Sequence, residues 1–438
     1  RIVKETEELM DEQKHLKNEQ GEPGNKTEKS EYLFMQETIK DENSRGKKYR
    51  KDLLRIAGLG VAFGVCACIS FSALRPWLDE KFPGDSQEVV IPEEKEEEKS
   101  DETTADTGND STVQTLGIDS YRELQKAMND VATEAGKSVV EIIGVSGEQD
   151  WTDESYDNKN SVSGLIIADN GQELLVYGKT SILKDAKEIH IRFSDGNTEQ
   201  ASVKKKDESL GFAIYAVSGS SIEQSTWTQI STAKLGSSNS VQKGDAVAVL
   251  GKPFGYAGAV GFGTIANSRN ELDADDGSYQ LLCTDIGAAE DGTGVIVNLS
   301  GEVVGIIDQS ISDNSSKRLV TGYGISGLKS EIELLSNGQA VPYVGIRGLD
   351  VTAEIEAQGI PNGVYVQTVE PDSPAMAAGI QSGDIIWQVS GESVSSMSSY
   401  EKAVLEEKSD AVIRVKGKRK GADGYVDLDF TVNVGDKK

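Results

Sequence analysis

Hydrophobic and polar positions follow several distinct rhythms along the chain. Residues 1–55 are densely charged and poor in large apolar side chains, which predicts a disordered or loosely helical tail. Residues 56–74, IAGLGVAFGVCACISFSAL, then run for 19 residues without a charge between Arg55 and Arg75. At about 1.5 Å per helical residue this run spans roughly 28 Å, close to the ~30 Å hydrocarbon core, and predicts a transmembrane helix. IDSYRELQKAMNDVATEAGKSVVEI predicts a helix leading into a strand. From about residue 139 to 332 short β-rich segments take over: SGLIIADNGQELLVYG, EIHIRFSDGN, DAVAVLGKPFG and GEVVGIIDQS. Apolar residues alternate in them and Gly, Asn and Asp turns recur at short spacing, which predicts antiparallel barrels or sandwiches. From about residue 341 strands near YVGIRG, GVYVQTV, DIIWQVSG, DAVIRVKG and DLDFTVNV enclose two helical stretches, SPAMAAG and SSYEKAVLEEK. That is a small α+β module.

Charge adds an orientation. Arg45, Lys47, Lys48, Arg50, Lys51 and Arg55 precede the apolar run, whereas residues 79–110 hold 13 acidic and 3 basic residues. The positive-inside bias places residues 1–55 in the cytoplasm and everything after Arg75 outside. A signal peptide fits less well, because more than 50 residues precede the run and no A-x-A site follows it. Gly60 and Gly64 form a GxxxG, a weak helix-pairing signal. Residues 75–117 then read as a self-repelling acidic linker. The formal net charge of −28 excludes a nucleic-acid binder, which needs clustered Lys and Arg. Three cysteines, Cys66, Cys68 and Cys283, give no disulfide framework and read as small buried hydrophobes. No metal or cofactor is expected: DADDGS lacks the length and terminal Glu of a calcium loop, and PFGYAGAVGFGTI lacks the Lys-Ser/Thr of a phosphate loop. Both read as turns.

The residues from about 137 to 434 resemble the HtrA family of membrane-anchored, trypsin-like serine proteases followed by a PDZ domain. The matching stretches, in order, are SGLIIADNG, IHIRFSDGN, VQKGDAVAVLGKPFG, TDIGAAEDGTGVIVNLSGEVVGI and YGISG. The resemblance implies a mainly β fold: a trypsin-like double β-barrel over residues 118–336 and an α+β PDZ domain over 341–436, behind a single transmembrane helix. It also implies a homotrimer.

Activity is a separate matter, because a fold does not carry its chemistry with it. Acyl transfer on this scaffold needs a serine nucleophile, a histidine base and an aspartate to orient it. Against the family's G-N-S-G-G-P turn, EDGTGV places Gly292 at the serine; a shift of one residue would place Thr293 there, and an internal threonine lacks the amine that activates an N-terminal one. LLVYGKTSI places Lys179, or Gly178, at the histidine, and ESLGFAIYAV places Gly211 at the aspartate. The chain has two histidines. His15 precedes the apolar run, and His190 alternates with Ile189 and Ile191 on the polar face of a strand. A Lys179–Ser181 pair on one strand is the remaining catalytic set to weigh, and nothing in the sequence desolvates the lysine or supplies an oxyanion hole.

The second module keeps the PDZ pattern in DSPAMAAGIQSGDIIWQVSG. In a PDZ domain a peptide C-terminus adds as a strand and its carboxylate is taken by loop N–H groups. The resemblance places that loop at Tyr343, Val344 and Gly345, the groove strand at Ile346, Arg347 and Gly348, and the opposite wall at Tyr400, Ala403 and Val404. Gly345 permits the close backbone approach, and Arg347 adds complementarity to an acidic ligand. The expectation is therefore a single-pass membrane protein with an extracytoplasmic pseudoprotease and PDZ domain. It would bind peptide segments or C-termini of envelope proteins as a scaffold, sensor or regulator of an active HtrA relative. The alternatives are a serine-type endopeptidase of envelope quality control with a non-standard catalytic set, and a purely architectural protein.

Overall fold

The computed structural model describes residues 87–92, 117–146, 160–311 and 318–437, all within one compact unit, Pro83–Lys438. The expected cytoplasmic tail, the apolar run at 56–74, most of the acidic linker, His15, Cys66 and Cys68 lie outside these residues. No described helix is long and apolar enough to cross a membrane.

Two closed six-stranded barrels follow one another with the same strand order. The first comprises β1 (Val139–Val145), β2 (Ser161–Asp169), β3 (Glu173–Lys179), β4 (Glu188–Arg192), β5 (Thr198–Asp207) and β6 (Phe212–Ser218), ordered β1-β2-β3-β6-β5-β4. The second comprises β7 (Ala246–Lys252), β8 (Ala259–Ala274), β9 (Gly277–Gly287), β10 (Thr293–Asn298), β11 (Val303–Asp308) and β12 (Leu319–Gly324), ordered β7-β8-β9-β12-β11-β10.

The continuous apolar runs have a geometric cause. Side chains alternate across a strand, so a strand buried on both faces carries apolar residues at successive positions. Leu174 and Val176 fill the first barrel, whereas Leu175 and Tyr177 face the seam between barrels. Likewise Val247, Val249 and Ile296 fill the second barrel, while Ala248, Leu250, Val295 and Val297 meet the first across the seam. Rings carry the contact across: Tyr177 stacks on Phe212 at 4.9 Å, Phe212 meets Tyr323 edge-on at 5.7 Å, and Tyr323 meets Tyr279 at 5.9 Å. At about 1.5–3 kcal/mol per fully buried large apolar side chain, this seam is a major stabilising element of the barrel pair.

Helix α1 (Ile118–Gly136) precedes β1 as expected, and α2 (Lys329–Ser336) follows the second barrel and packs back against β5 and β6 of the first. The α2 helix was not anticipated, although Leu328, Ile332 and Leu335 recur at helical spacing and are all buried. Part of the stretch expected as an acidic spacer also packs. Val89 and Ile91 are buried; Val89 N–H donates to Asn337 Oδ1 at 3.0 Å and Ile91 N–H to Glu333 Oε2 at 2.7 Å. Residues 87–92 thus add an apolar-alternating segment to the α2 face instead of standing clear of it.

The last module is a sheet of β14 (Ile346–Asp350), β15 (Val364–Val369), β16 (Ile385–Val389), β18 (Val412–Gly421) and β19 (Gly424–Asn433), in that order. A short strand β17 (Glu392–Ser393) pairs with β16, and β13 (Pro342–Tyr343) pairs with β20 (Gly435–Asp436). Helix α3 (Pro374–Ala378) has clear sequence punctuation: Ser373 caps it by accepting from Met376 N–H, Pro374 occupies the first turn, and Gly379 ends it at φ 86°. Helix α4 (Met397–Leu405) begins with a capping box of Ser396 and Ser399.

Candidate functional site

Two places concentrate polar chemistry: the cleft between the barrels and the loop ahead of β14. The cleft is a cavity of about 590 Å³ whose lining includes Ser161, Lys179, Gly292, Thr293, Asp308 and Ser310. Lys179 ends β3 and reaches across to the end of β11. Its Nζ donates to Asp308 Oδ1 at 2.5 Å and to Ser310 Oγ at 3.0 Å, while Ser310 Oγ donates to Asp308 Oδ1 at 2.6 Å. The Asp308 side chain is 2% exposed, so this is a buried ion pair bridging the barrels. Ser181 lies in a short 3₁₀ turn, Thr180–Leu183, after the strand has ended. The Lys179–Ser181 pair weighed as an alternative catalytic set therefore does not share a strand, and the serine hydroxyl that Lys179 meets is that of Ser310.

Gly292 sits in the tight turn before β10. A Cβ there would lie 2.7 Å from Pro253 O and 3.1 Å from Ala289 O, so the turn has no room for a side chain. Thr293 is buried, and its Oγ1 accepts from Ser163 N–H at 2.9 Å, facing the other barrel. Gly211 lies in the turn before β6 and accepts from Thr180 N–H at 2.9 Å. His190 is on β4, half-buried rather than fully exposed; it contacts Glu188 at 3.4 Å and is not among the residues lining the cleft.

Behind the cleft lies a buried network that the sequence reading missed. Ser161 Oγ donates to Glu141 Oε1 at 2.5 Å, and Lys252 Nζ donates to Ser161 O at 3.0 Å and lies 3.3 Å from Ser161 Oγ. Burial pushes the Lys252 ammonium pKa down, against the pull of Asp291 and Glu141. Nothing in VAVLGKPFG marks that lysine as buried, because its partners are on the other barrel.

The second place is the backbone turn that leads from β13 into β14. Gly345 adopts φ 90°, and a Cβ there would lie 2.4 Å from Ser373 Cβ, so only glycine fits. The amides of Val344, Gly345 and Ile346 do converge on a carboxylate, and it is the protein's own. Asp276 Oδ2 accepts from Val344 N–H and Gly345 N–H at 2.7 Å each, and Oδ1 accepts from Ile346 N–H at 3.1 Å and from the Tyr400 hydroxyl at 2.9 Å. Asp276 N–H in turn donates to Ile346 O at 2.7 Å. The neighbouring Arg347 Nε donates to Asp275 Oδ1 at 2.6 Å and faces Glu370 at 3.4 Å.

Asp275 and Asp276 form the two-residue turn of the β8–β9 hairpin, which extends from the second barrel into this loop. The turn reading of DADDGS is met, but its role in the cradle was not legible. Asp276 is buried: desolvation pushes its carboxyl pKa up, opposed by the three amides and Tyr400. Tyr400, Ala403 and Val404 of α4 are buried with Val344 and Ile346 in the module's core. Tyr343 lies on β13 at its edge. Beside Gly348 lies a cavity of about 390 Å³ lined by Gln280, Ser326, Asp350, Met397 and Glu401 among others.

The seam beside this hairpin is acidic. Burial pushes Glu401 up to about 7, opposed chiefly by Lys437 and the Tyr279 hydroxyl. Glu331 is pushed up to about 8, first by burial and then by Asp207, with Lys437 opposing. Lys437, itself buried, lies 3.7 Å from Asp207 and 3.3 Å from the Tyr279 hydroxyl. Among the described residues no group of His, Cys, Asp and Glu has the arrangement of a metal site.

Comparison with known proteins places names beside these shapes. A family model for the trypsin-like peptidase domain matches residues 162–306, and one for the PDZ domain matches residues 342–430. The chain is similar to "Serine protease Do-like HtrA" of Lactobacillus helveticus, 25% identical over 285 residues that cover 60% of this chain and 66% of that protein. It is also similar to "Serine protease Do-like HtrB" of Bacillus subtilis (strain 168), 25% identical over 59% of this chain and 60% of that protein. A third relative is "Probable periplasmic serine endoprotease DegP-like" of Marinomonas sp. (strain MWYL1), at 27% identity over 63% and 58%. The chain thus spans about three fifths of the length of these relatives. Among solved structures, the HtrA-type protease AlgW with decapeptide aligns at TM-score 0.49 and 20% identity, over 71% of this chain and 99% of that one. A substituted form of AlgW with tripeptide aligns at TM-score 0.50 and 18% identity, over 71% and 97%. At 18% identity the likeness to the tripeptide-bound form concerns the fold alone.

Proposed function

This chain belongs to the HtrA family, a trypsin-like peptidase domain followed by a PDZ domain, and we propose that it binds peptide C-termini without cutting them. The observation that carries the reading is the carboxylate seated on the amides of Val344, Gly345 and Ile346. A loop with that donor set, next to a strand that accepts a backbone N–H, suits a peptide's terminal carboxylate and strand addition.

The cleft supports the other half of the proposal. Acyl transfer needs a nucleophile, a base and an orienting group within hydrogen-bond reach. Here the Lys179 ammonium is committed to Asp308 and Ser310, Gly292 leaves no space for a hydroxyl-bearing side chain, and the Thr293 hydroxyl is tied to Ser163. Loss of triad members costs on the order of 10⁴ to 10⁶ in turnover. Within this reading residues 56–74 anchor the chain in a membrane, residues 1–55 lie in the cytoplasm and the folded unit faces the cell envelope. Its ligands are C-termini or segments of envelope proteins, and its work is that of a scaffold, sensor or regulator, as a homotrimer or beside an active relative.

One observation favours a second reading, a serine-type endopeptidase. Ser161 lines the cleft with its Oγ 3.3 Å from Lys252, a lysine whose pKa burial lowers as a base requires. Against it, the same hydroxyl donates to Glu141 at 2.5 Å. Incubating the full-length chain with unfolded casein separates the two. The first reading expects intact casein; fragments that disappear with Ser161→Ala would replace it with the second.

A further inference from the structure

We infer that the β8–β9 hairpin is an internal ligand of the PDZ groove, that Asp276 stands in for a peptide's terminal carboxylate, and that a C-terminal peptide binds only by displacing it. The inference rests on the peptide-binding reading and adds to it a gate and a ligand class.

The mimicry is atom by atom. A strand-adding peptide ending in a carboxylate needs loop amides for its two oxygens and a strand carbonyl for its last N–H. Asp276 uses both: its carboxylate takes the amides of Val344, Gly345 and Ile346, and its own N–H donates to Ile346 O. The side chain thus supplies what a chain terminus would supply, from a residue in mid-chain. To do so Asp276 holds φ 60°, a left-handed conformation that Asp tolerates better than most residues. Tyr400, from the opposite wall, closes the fourth hydrogen bond. Asp276 is buried and each of its four donors comes from the PDZ module, whereas the hairpin belongs to the barrel. Two parts of the molecule are therefore latched through the donors that a ligand requires, and both cannot use them at once.

The hairpin also indicates what displaces it. Asp275, the residue before the stand-in carboxylate, pairs with Arg347 Nε at 2.6 Å, and Glu370 shares that guanidinium. A competing peptide that offers a free terminal carboxylate with an acidic side chain just before it replaces both contacts. A peptide with an amidated end offers neither oxygen pair nor charge. Because an occupied groove is not binding-competent, the apparent affinity is reduced by the fraction of molecules with the hairpin out. Release of the hairpin by ligand would in turn loosen the barrel–PDZ seam, which couples peptide binding to the relative freedom of the two parts.

The test uses the purified full-length chain, wild type and Asp276→Ala, against decapeptides randomised over their last four residues. The library is presented in free-carboxylate and amidated forms. The expected result is that Asp276→Ala captures free-carboxylate peptides at a chain concentration at least about tenfold lower than wild type. Captured peptides should be enriched in Asp or Glu at the penultimate position, and neither chain should retain the amidated library. Equal capture by both chains overturns the gate and leaves the peptide-binding reading in place; no capture by either overturns the peptide-binding reading itself. Amide hydrogen exchange gives a readout that needs no peptide. The N–H groups of Val344, Gly345 and Ile346 should exchange slowly in wild type, faster in Asp276→Ala and at an intermediate rate in Asp276→Asn. Unchanged slow exchange in folded Asp276→Ala refutes the latch.

Discussion

The buried carboxyl of Glu331 makes the fold respond to pH in a direction opposite to ordinary acid sensitivity. In the native state burial, reinforced by Asp207, pushes its pKa up to about 8 from an unfolded value of 4.5. Between those values the folded chain holds a proton that the unfolded chain has released, so stability falls as pH rises. The contribution is complete below about pH 4.5 and is lost as pH passes about 8. A shift of this size corresponds to roughly 4–5 kcal/mol at 1.36 kcal/mol per unit. Glu331→Gln keeps the shape and removes the ionisation. Its thermal unfolding, followed by circular dichroism, should match wild type near pH 5 and exceed it at pH 8. At about 2–4 °C per kcal/mol for a body of this size, the difference at pH 8 is on the order of 10 °C. Parallel Tm curves for the two proteins from pH 5 to 8 would refute the reasoning.

Two further perturbations probe the cleft. Gly292→Ser puts a Cβ 2.7 Å from Pro253 O, so it should lower stability by about 1–3 kcal/mol in denaturant titration and produce no casein cleavage. Lys179→Met alone leaves the buried Asp308 carboxylate uncompensated and should cost about 3–5 kcal/mol; combining it with Asp308→Leu should restore most of the loss, as a double-mutant cycle would report.

The barrels were legible because burial on two faces writes itself into runs such as LLVY and VAVL, and the PDZ helices because Ser373, Pro374 and Gly379 mark a start and a stop. The site was legible only where neighbours in sequence determine it, as at Gly345. Lys179 was singled out for its position, but its partner Asp308 lies 129 residues away, and pairing across two barrels leaves no local pattern. Asp276 reads as an ordinary turn aspartate, since the amides it satisfies belong to residues 68 to 70 positions later. The same limit hid Lys252 and the packing of Val89 and Ile91 on α2.

The central claim, binding without cutting, is tested most directly by following one peptide through both outcomes. Full-length Asp276→Ala is incubated with a free-carboxylate decapeptide it captures, then separated from unbound material, and the bound and free peptide are weighed by mass spectrometry. The account predicts an intact decapeptide in the bound fraction at every time point. Shorter products that accumulate with time and require Ser161 would contradict it.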